Sequence, residues 1–245
     1  MILTLADAKY LKESISIISD LVKEATFNIT NEGFELIAMD PATVAMVIFK
    51  LLPSSFVEYS IEQPMEIAIN LDNFKQILRR TKSDDIVSLS VVENSLEITL
   101  KSKNSKKFNL PIIELDNKEQ KIPNLEFSTK INIPSSMLSE AIEDSSIVSD
   151  AVSFVASPDK FSVKAEGDLS KAEIDMVADD NLKVESSATT RSKYSIDYLK
   201  KMISGSKLSD TADIEFSESY PLKLSYKVID KVLLSFILAP RMEND

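Results

Sequence analysis

Ile69-Asn70-Leu71-Asp72-Asn73-Phe74-Lys75-Gln76-Ile77-Leu78-Arg79-Arg80 and Tyr194-Ser195-Ile196-Asp197-Tyr198-Leu199-Lys200-Lys201-Met202-Ile203-Ser204-Gly205 read as two versions of one segment. Asp72 answers to Asp197, Lys75 to Lys200, and Ile77-Leu78 to Met202-Ile203. A second pair keeps nearly the same offset, about half the chain. Glu24-Ala25-Thr26-Phe27, leading into Gly33–Asp40, is matched by Asp150–Phe154, leading into Lys160–Gly167. Chance similarity between two helices would not hold register over that distance, so the sequence predicts the duplication of a whole domain.

Working outward, each half reads as helix, strands, helix, strands. Lys9–Lys23 places Leu11, Ile15, Ile18 and Val22 on one face of a helix. Phe27–Ile29 and Phe34–Met39 read as strands around Asn31-Glu32-Gly33, and Thr43–Leu52 as a further strand closed by Pro53. Leu71–Thr81 is a second helix with Phe74, Ile77 and Leu78 inward. Strands follow at Ile86–Val91, Leu96–Leu100 and Lys107–Ile113. In the second half, helices are expected at Ser135–Asp144 and Ile196–Ser204. Strands are expected up to Asp175–Val177, then at Ala212–Phe216, Leu222–Lys227 and Val232–Leu238. The fold class is α+β with antiparallel sheets. Glu114–Asn124 is polar and contains Pro123, so it reads as an exposed connector, with Ile122 and Leu125 packing down at its end. The expected division is an N-terminal domain over 1–115, a connector over 116–127 and a C-terminal domain over 128–245.

Composition removes several function classes. The 245 residues include no Cys and no His. Disulfides, thiolate metal sites, histidine zinc sites and Ser-His-Asp catalysis are therefore excluded. Three glycines, Gly33, Gly167 and Gly205, cannot build a Gly-rich phosphate loop. The apolar stretches Val44–Phe49 and Val232–Pro240 are too short to span a bilayer. The first residues carry no basic start, apolar region or cleavage site, so a cytoplasmic protein is expected, or a nuclear one in a cell with a nucleus. The net charge of −11 argues against tight binding to nucleic acid over the whole surface, so the placement of the cations matters.

Five short motifs occur in order: Ala38-Met39-Asp40-Pro41, Leu52-Pro53-Ser54-Ser55-Phe56, Ile122-Pro123, Pro221-Leu222-Lys223-Leu224 and Leu238-Ala239-Pro240-Arg241. With the duplicated helices, they make the chain resemble the proliferating cell nuclear antigen family of sliding clamps, in its archaeal form. The resemblance covers essentially the whole chain. It implies a DNA clamp fold, a ring of three subunits around duplex DNA with helices lining the hole and sheets outside. It also implies a processivity factor without catalysis or cofactor. A clamp loader would open the ring, and DNA polymerase, flap endonuclease and DNA ligase would be held through short hydrophobic peptide motifs.

The resemblance assigns three sets of residues. DNA-facing cations would be Lys9 and Lys12 on the first helix, Lys75, Arg79, Arg80 and Lys82 on and after the second, and Lys200, Lys201 and Lys207 on and after the fourth. The third helix departs from this pattern, with Glu140, Glu143 and Asp144 and no basic residue. The partner-peptide pocket would use Met39, Val44, Met46, Ile122, Pro123, Phe127, Pro221, Ile237, Ala239 and Pro240. Gln120, Lys121 and Thr43 stand where many relatives carry other residues, which points to altered partner preference. Subunits would meet through a basic edge, Lys101, Lys103, Lys106, Lys107 and Phe108. The facing acidic edge would be Glu173, Ile174, Asp175, Met176, Val177, Asp179 and Asp180. Opposite charges suit a head-to-tail contact. One competing reading is a specialised subunit of a heterotrimeric clamp. A remote one is a carboxylate-dependent metal nuclease using Asp84-Asp85, Asp179-Asp180 or Glu143-Asp144.

Overall fold

A computed structural model describes residues 1–115 and 120–242. Residues 116–119 of the expected connector lie outside the described residues. In chain order the first half carries β1 (Ile2–Leu5), α1 (Lys9–Ile18), β2 (Glu24–Thr30), β3 (Gly33–Met39), β4 (Ala45–Leu51), β5 (Glu58–Ser60), β6 (Met65–Asn70), α2 (Leu71–Leu78), β7 (Ile86–Val92), β8 (Ser95–Lys101) and β9 (Ser105–Pro111). The second half carries β10 (Thr129–Pro134), α3 (Ser135–Ser145), β11 (Ala151–Ser157), β12 (Lys160–Glu166), β13 (Lys171–Val177), β14 (Lys183–Ser186), β15 (Thr190–Ser195), α4 (Ile196–Met202), β16 (Thr211–Phe216), β17 (Leu222–Val228) and β18 (Val232–Leu238). The two series have the same order of helices and strands.

The chain forms two compact units. The first contains Met1–Pro41, Val47–Ile122 and Val228–Leu234; the second contains Ala42–Met46, Pro123–Lys227 and the chain from Ser235 onward. The first unit holds the antiparallel order β5-β1-β7-β8-β9 and the order β4-β3-β2-β6. The second holds β14-β10-β16-β17, with the end of β18 bonded to β17 through Ser235 Oγ and Ser225 Oγ at 2.8 Å, and β13-β12-β11-β15. Register confirms the duplication. Phe27 faces Leu36 and Thr30 faces Gly33, just as Phe154 faces Val163 and Ser157 faces Lys160.

The cores are duplicated as well. In the first unit Phe27 stacks on Phe34 with centroids 4.5 Å apart and meets Phe74 edge-on at 6.4 Å. In the second, Phe154 meets Phe161 at 5.3 Å, Tyr194 at 5.4 Å and Phe216 at 6.2 Å. All these rings are fully buried. Such edge-on pairs add about 0.5–1.5 kcal/mol each beyond the area they bury.

Some sequence expectations are corrected. The first helix ends at Ile18, not Lys23. Ser19 Oγ donates to the Ser16 carbonyl at 3.0 Å, and the next turn tightens to bonds from Asp20 N and Leu21 N. The strand expected from Thr43 starts at Ala45, because Thr43 adopts φ 58°, which a strand does not permit. The second helix ends at Leu78, and Ile77 is half-buried where Phe74 and Leu78 are fully buried. The fourth helix ends at Met202 and continues as a 3-10 turn over Ile203–Lys207. The sequence reading missed β1, three residues ahead of α1, and the strands that run directly into the other helices, β6, β10 and β15. It also missed the short β5 and β14.

Candidate functional site

The helix cations divide on inspection. Lys75 is not a free surface charge. Its ammonium lies 2.8 Å from Asp20 and donates to the Ser16 carbonyl at 3.1 Å, with the side chain only 15% exposed. Lys23, in the segment after α1, pairs with Asp72 of α2 at 3.2 Å. Two ion pairs therefore lash α2 to the segment that follows α1, and Lys75 is engaged in one of them. Lys12 is half-buried and donates to the Thr81 carbonyl at 3.4 Å. Lys9, Arg79, Arg80 and Lys82 are exposed in the first unit. In the second, Lys200, Lys201 and Lys207 are exposed, and Lys201 sits 5.5 Å from the Tyr198 ring centroid. The third helix presents Glu140, Glu143 and Asp144 to solvent, so the cationic surface of the second unit rests on α4 and its following turn.

The two proposed edges share a feature that the sequence reading did not register. β9 and β13 are each the outermost strand of their sheet. Their burial follows an identical alternation, with Phe108 and Ile174 at the same half-buried position and Leu110 and Met176 at the same buried one. Each leaves one row of backbone donors and acceptors unpaired, the arrangement that templates pairing with another chain. The charge pattern is softer than the sequence suggests. On the basic edge, Lys107 is already 3.0 Å from Glu97, while Lys101 and Lys103 are exposed and Lys106 half-buried. On the acidic edge, Glu173 pairs with Lys164 at 2.6 Å. Asp175 accepts from Ser162 at 2.5 Å and from Lys160 at 3.1 Å, and these bonds hold its carboxyl below the usual range. Asp179 accepts from the backbone of Asn181 and Leu182, both at 2.8 Å, and so shapes a turn; Asp180 is exposed, as is Val177.

Of the pocket residues, Val44, Met46, Pro123, Phe127, Pro221, Ile237, Ala239 and Pro240 belong to the second unit. Met46 and Ile237 are buried and Val44, Phe127, Pro221 and Pro240 are half-buried. Pro123 and Ala239 are exposed. Ala239 N donates to the Val44 carbonyl at 2.9 Å, which joins the start of β4 to the end of β18. Phe127 packs edge-on against Tyr220 with centroids 6.1 Å apart, and Ser217 Oγ accepts from Ser128 N at 2.9 Å, anchoring the end of the connector. Tyr220 was missed in the sequence. The signal was present: an aromatic residue directly precedes the Pro221–Leu224 motif. Met39, half-buried, and Ile122, exposed, belong to the first unit.

The acidic pairs do not assemble a metal site. Asp85 is buried and accepts from Lys82 N at 2.9 Å, while its neighbour Asp84 is exposed. Among the described residues, no group of three or more acidic side chains is placed to hold a metal ion. No helix among them is long and apolar enough to cross a membrane.

Two units of one topology, each with a pair of helices and an edge strand open on one side, define the clamp class of α+β proteins. Residues 1–122 match the N-terminal domain of proliferating cell nuclear antigen, and residues 121–241 match its C-terminal domain. The chain is 40% identical over 240 residues to the DNA polymerase sliding clamp of Thermococcus gammatolerans, covering 97% of this chain and 96% of that one. It is 35% identical over 249 residues to that of Nanoarchaeum equitans, covering 99% and 100%. The crystal structure of PCNA from Thermococcus kodakaraensis superposes with a TM-score of 0.92 at 30% identity, covering 98% and 99%. The chain belongs to the proliferating cell nuclear antigen family of DNA sliding clamps, which are non-catalytic processivity factors.

Proposed function

We propose that three copies of this chain close into a ring around duplex DNA and tether replication and repair enzymes to it, in the cytoplasm where the chromosome lies. The matched burial of β9 and β13 carries this reading. Each edge offers the same alternation of exposed, half-buried and buried positions, so one copy's β9 and the next copy's β13 suit a head-to-tail strand pairing that closes on itself. Light scattering on a sizing column should give a mass near three times 27.3 kDa. A mass near one chain would defeat the self-sufficient ring and point to a heterotrimer.

The DNA-facing set in this reading is Lys9, Lys12, Arg79, Arg80, Lys82, Lys200, Lys201 and Lys207, without Lys75. These contacts are sequence-blind and screened by salt. A topological link tolerates that weakness. Changing Arg79 and Arg80 together to Ala should shorten clamp-dependent polymerase products several-fold at low salt and leave the mass unchanged. Equal product lengths would remove this pair from the mechanism.

Client enzymes, namely DNA polymerase, flap endonuclease and DNA ligase, would insert hydrophobic and aromatic side chains at the pocket residues, and a clamp loader would open the ring. Tethering acts by raising the effective concentration of each enzyme at its substrate. The connector over 116–127 divides the 1–115 and 128–245 domains in this reading and supplies part of the peptide contact.

A further inference from the structure

Among the described residues only two carboxylates are buried, Asp40 and Asp85. Asp40 belongs to the Ala38–Pro41 motif, but Asp85 has no part in the DNA-facing, pocket or edge sets. Taking a carboxylate out of water is costly unless donors replace the water. Asp85 has such donors. Lys82 N donates to its Oδ2 at 2.9 Å, and the Ser102 hydroxyl donates to the same carboxylate. These bonds, the one from Lys82 foremost, hold its carboxyl below the usual range against the smaller opposing effect of burial. The fields of Lys106 and Lys82 act in the same direction.

The strand register explains why these groups meet. Ile86 faces Lys101 at the end of the β7–β8 ladder. One residue beyond, Asp85 precedes β7 and Ser102 follows β8, so their bond extends the ladder by a side-chain rung. The rung joins two turns. Lys82–Asp85 lies between α2 and β7, and Asp85 N donates to the Lys82 carbonyl at 3.2 Å. Ser102–Asn104 leads from β8 into β9, and Ser102 N donates to the Asn104 carbonyl at 3.0 Å.

The second turn lacks any other anchor in the core. β9 has a neighbouring strand on one side only, and from Ser102 to Asn109 no residue is fully buried; the first is Leu110. The stretch that carries Lys103, Lys106, Lys107 and Phe108 is therefore held at its start by polar bonds. The other half of the duplication has no such tie. The offset that relates Asp72 to Asp197 carries Asp85 to Asp210, which directly precedes β16 but is exposed.

We propose that Asp85 is a positioning residue for ring closure: by tying the Ser102–Asn104 turn to the turn after α2, it presents the leading half of β9 to β13 of the next copy. This role rests on the head-to-tail pairing proposed above. Asp85 is buried within the single chain, so it acts through Ser102 and not by contact. Without the tie the start of β9 frays, and each interface then loses conformational freedom on closing that a pre-set strand has already given up.

The test is the mass of the full chain in solution across a dilution series, with the urea midpoint measured beside it. Ser102→Ala removes only the exposed end of the tie and leaves the core intact. It should raise the concentration of half-dissociation about fivefold or more, and Asp85→Ala should raise it about tenfold or more. Asp85→Asn keeps an oxygen for Lys82 N and for Ser102, and it should stay within about threefold of the wild type. Phe27→Leu makes a core loss in the other sheet of the same unit. It should lower the urea midpoint yet shift half-dissociation less than about twofold, because distant sites act independently. A wild-type ring whose half-dissociation is unmoved by Ser102→Ala and Asp85→Ala, or moved no more than by Phe27→Leu, would overturn the proposal. A wild type of single-chain mass at every concentration would instead remove the ring itself, and this role with it.

Discussion

Gly205→Ala is expected to destabilise the protein by about 3 kcal/mol, seen as a lower urea midpoint, at the upper end of what overpacking usually costs. Gly205 lies in the 3-10 turn after α4, and a Cβ built there falls 2.2 Å from Cδ2 and 2.3 Å from Cε2 of Tyr226. Tyr226 is fully buried on β17 and cannot swing aside into solvent. Replacing Gly with Ala in an open helical position ordinarily stabilises by about 1 kcal/mol. Here the clash outweighs that gain. Burial holds the Tyr226 phenol protonated, well above its usual pKa, and its hydroxyl has no hydrogen-bond partner among the described residues. Phenylalanine at 226 should therefore be close to neutral, and it should not rescue Gly205→Ala because the clash is with ring carbons. A raised or unchanged midpoint for Gly205→Ala would show that the 3-10 turn and the ring separate easily.

The second large effect concerns the docking surface. Changing Pro123 and Phe127 together to Ala should weaken a labelled peptide bearing an aliphatic and an aromatic anchor by tenfold or more. Truncating central aromatic contacts typically costs about 2 kcal/mol or more, and each 1.4 kcal/mol is about tenfold in affinity. Pro123 is exposed and Phe127 half-buried against Tyr220, so the fold should tolerate the change and the mass in solution should stay the same. Binding that survives would move the pocket elsewhere. The buried Met46 and Ile237 are unsuited to this test, because their removal would act through the core.

Much of the fold was legible because the strongest signals are local. Helix periodicity located the four α-helices of the described residues, and their repetition established the duplication. The missed strands show where local signals fail. β15 reads Thr190-Arg191-Ser192-Lys193-Tyr194-Ser195, and its inward positions are Thr190, Ser192 and Tyr194. Two of those three are polar, so alternation of hydrophobicity cannot reveal the strand. They are stable inward because Thr190 Oγ1 accepts from Thr129 Oγ1 at 3.0 Å and Ser192 Oγ donates to the Tyr220 carbonyl at 3.1 Å, partners distant in sequence. β10 carries Ile131 and Ile133 in clear alternation, but it follows the connector so closely that the boundary was not drawn.

Charge shows the same division. The sequence supplied the cations of the helices and the contrast between the two edges, because charge depends only on residue type. It could not say which cations remain free. Lys75 and Arg79 lie one helical turn apart, yet Lys75 is held by Asp20 and Arg79 is exposed. Glu173 and Asp175 read as an acidic edge until β12 brings Lys164, Ser162 and Lys160 beside them.

By itself, then, the sequence determined the duplicated α+β architecture, the absence of His and Cys chemistry, and membership of the clamp family. These follow from periodicity, composition and motif order, which survive any arrangement in space. Tertiary structure alone decided which lysines face water, how β9 and β13 come to present matching edges, and that Lys164 and Lys160 of β12 pair with Glu173 and Asp175. Each of those depends on which strand lies beside which, and strand pairing joins residues far apart in the chain.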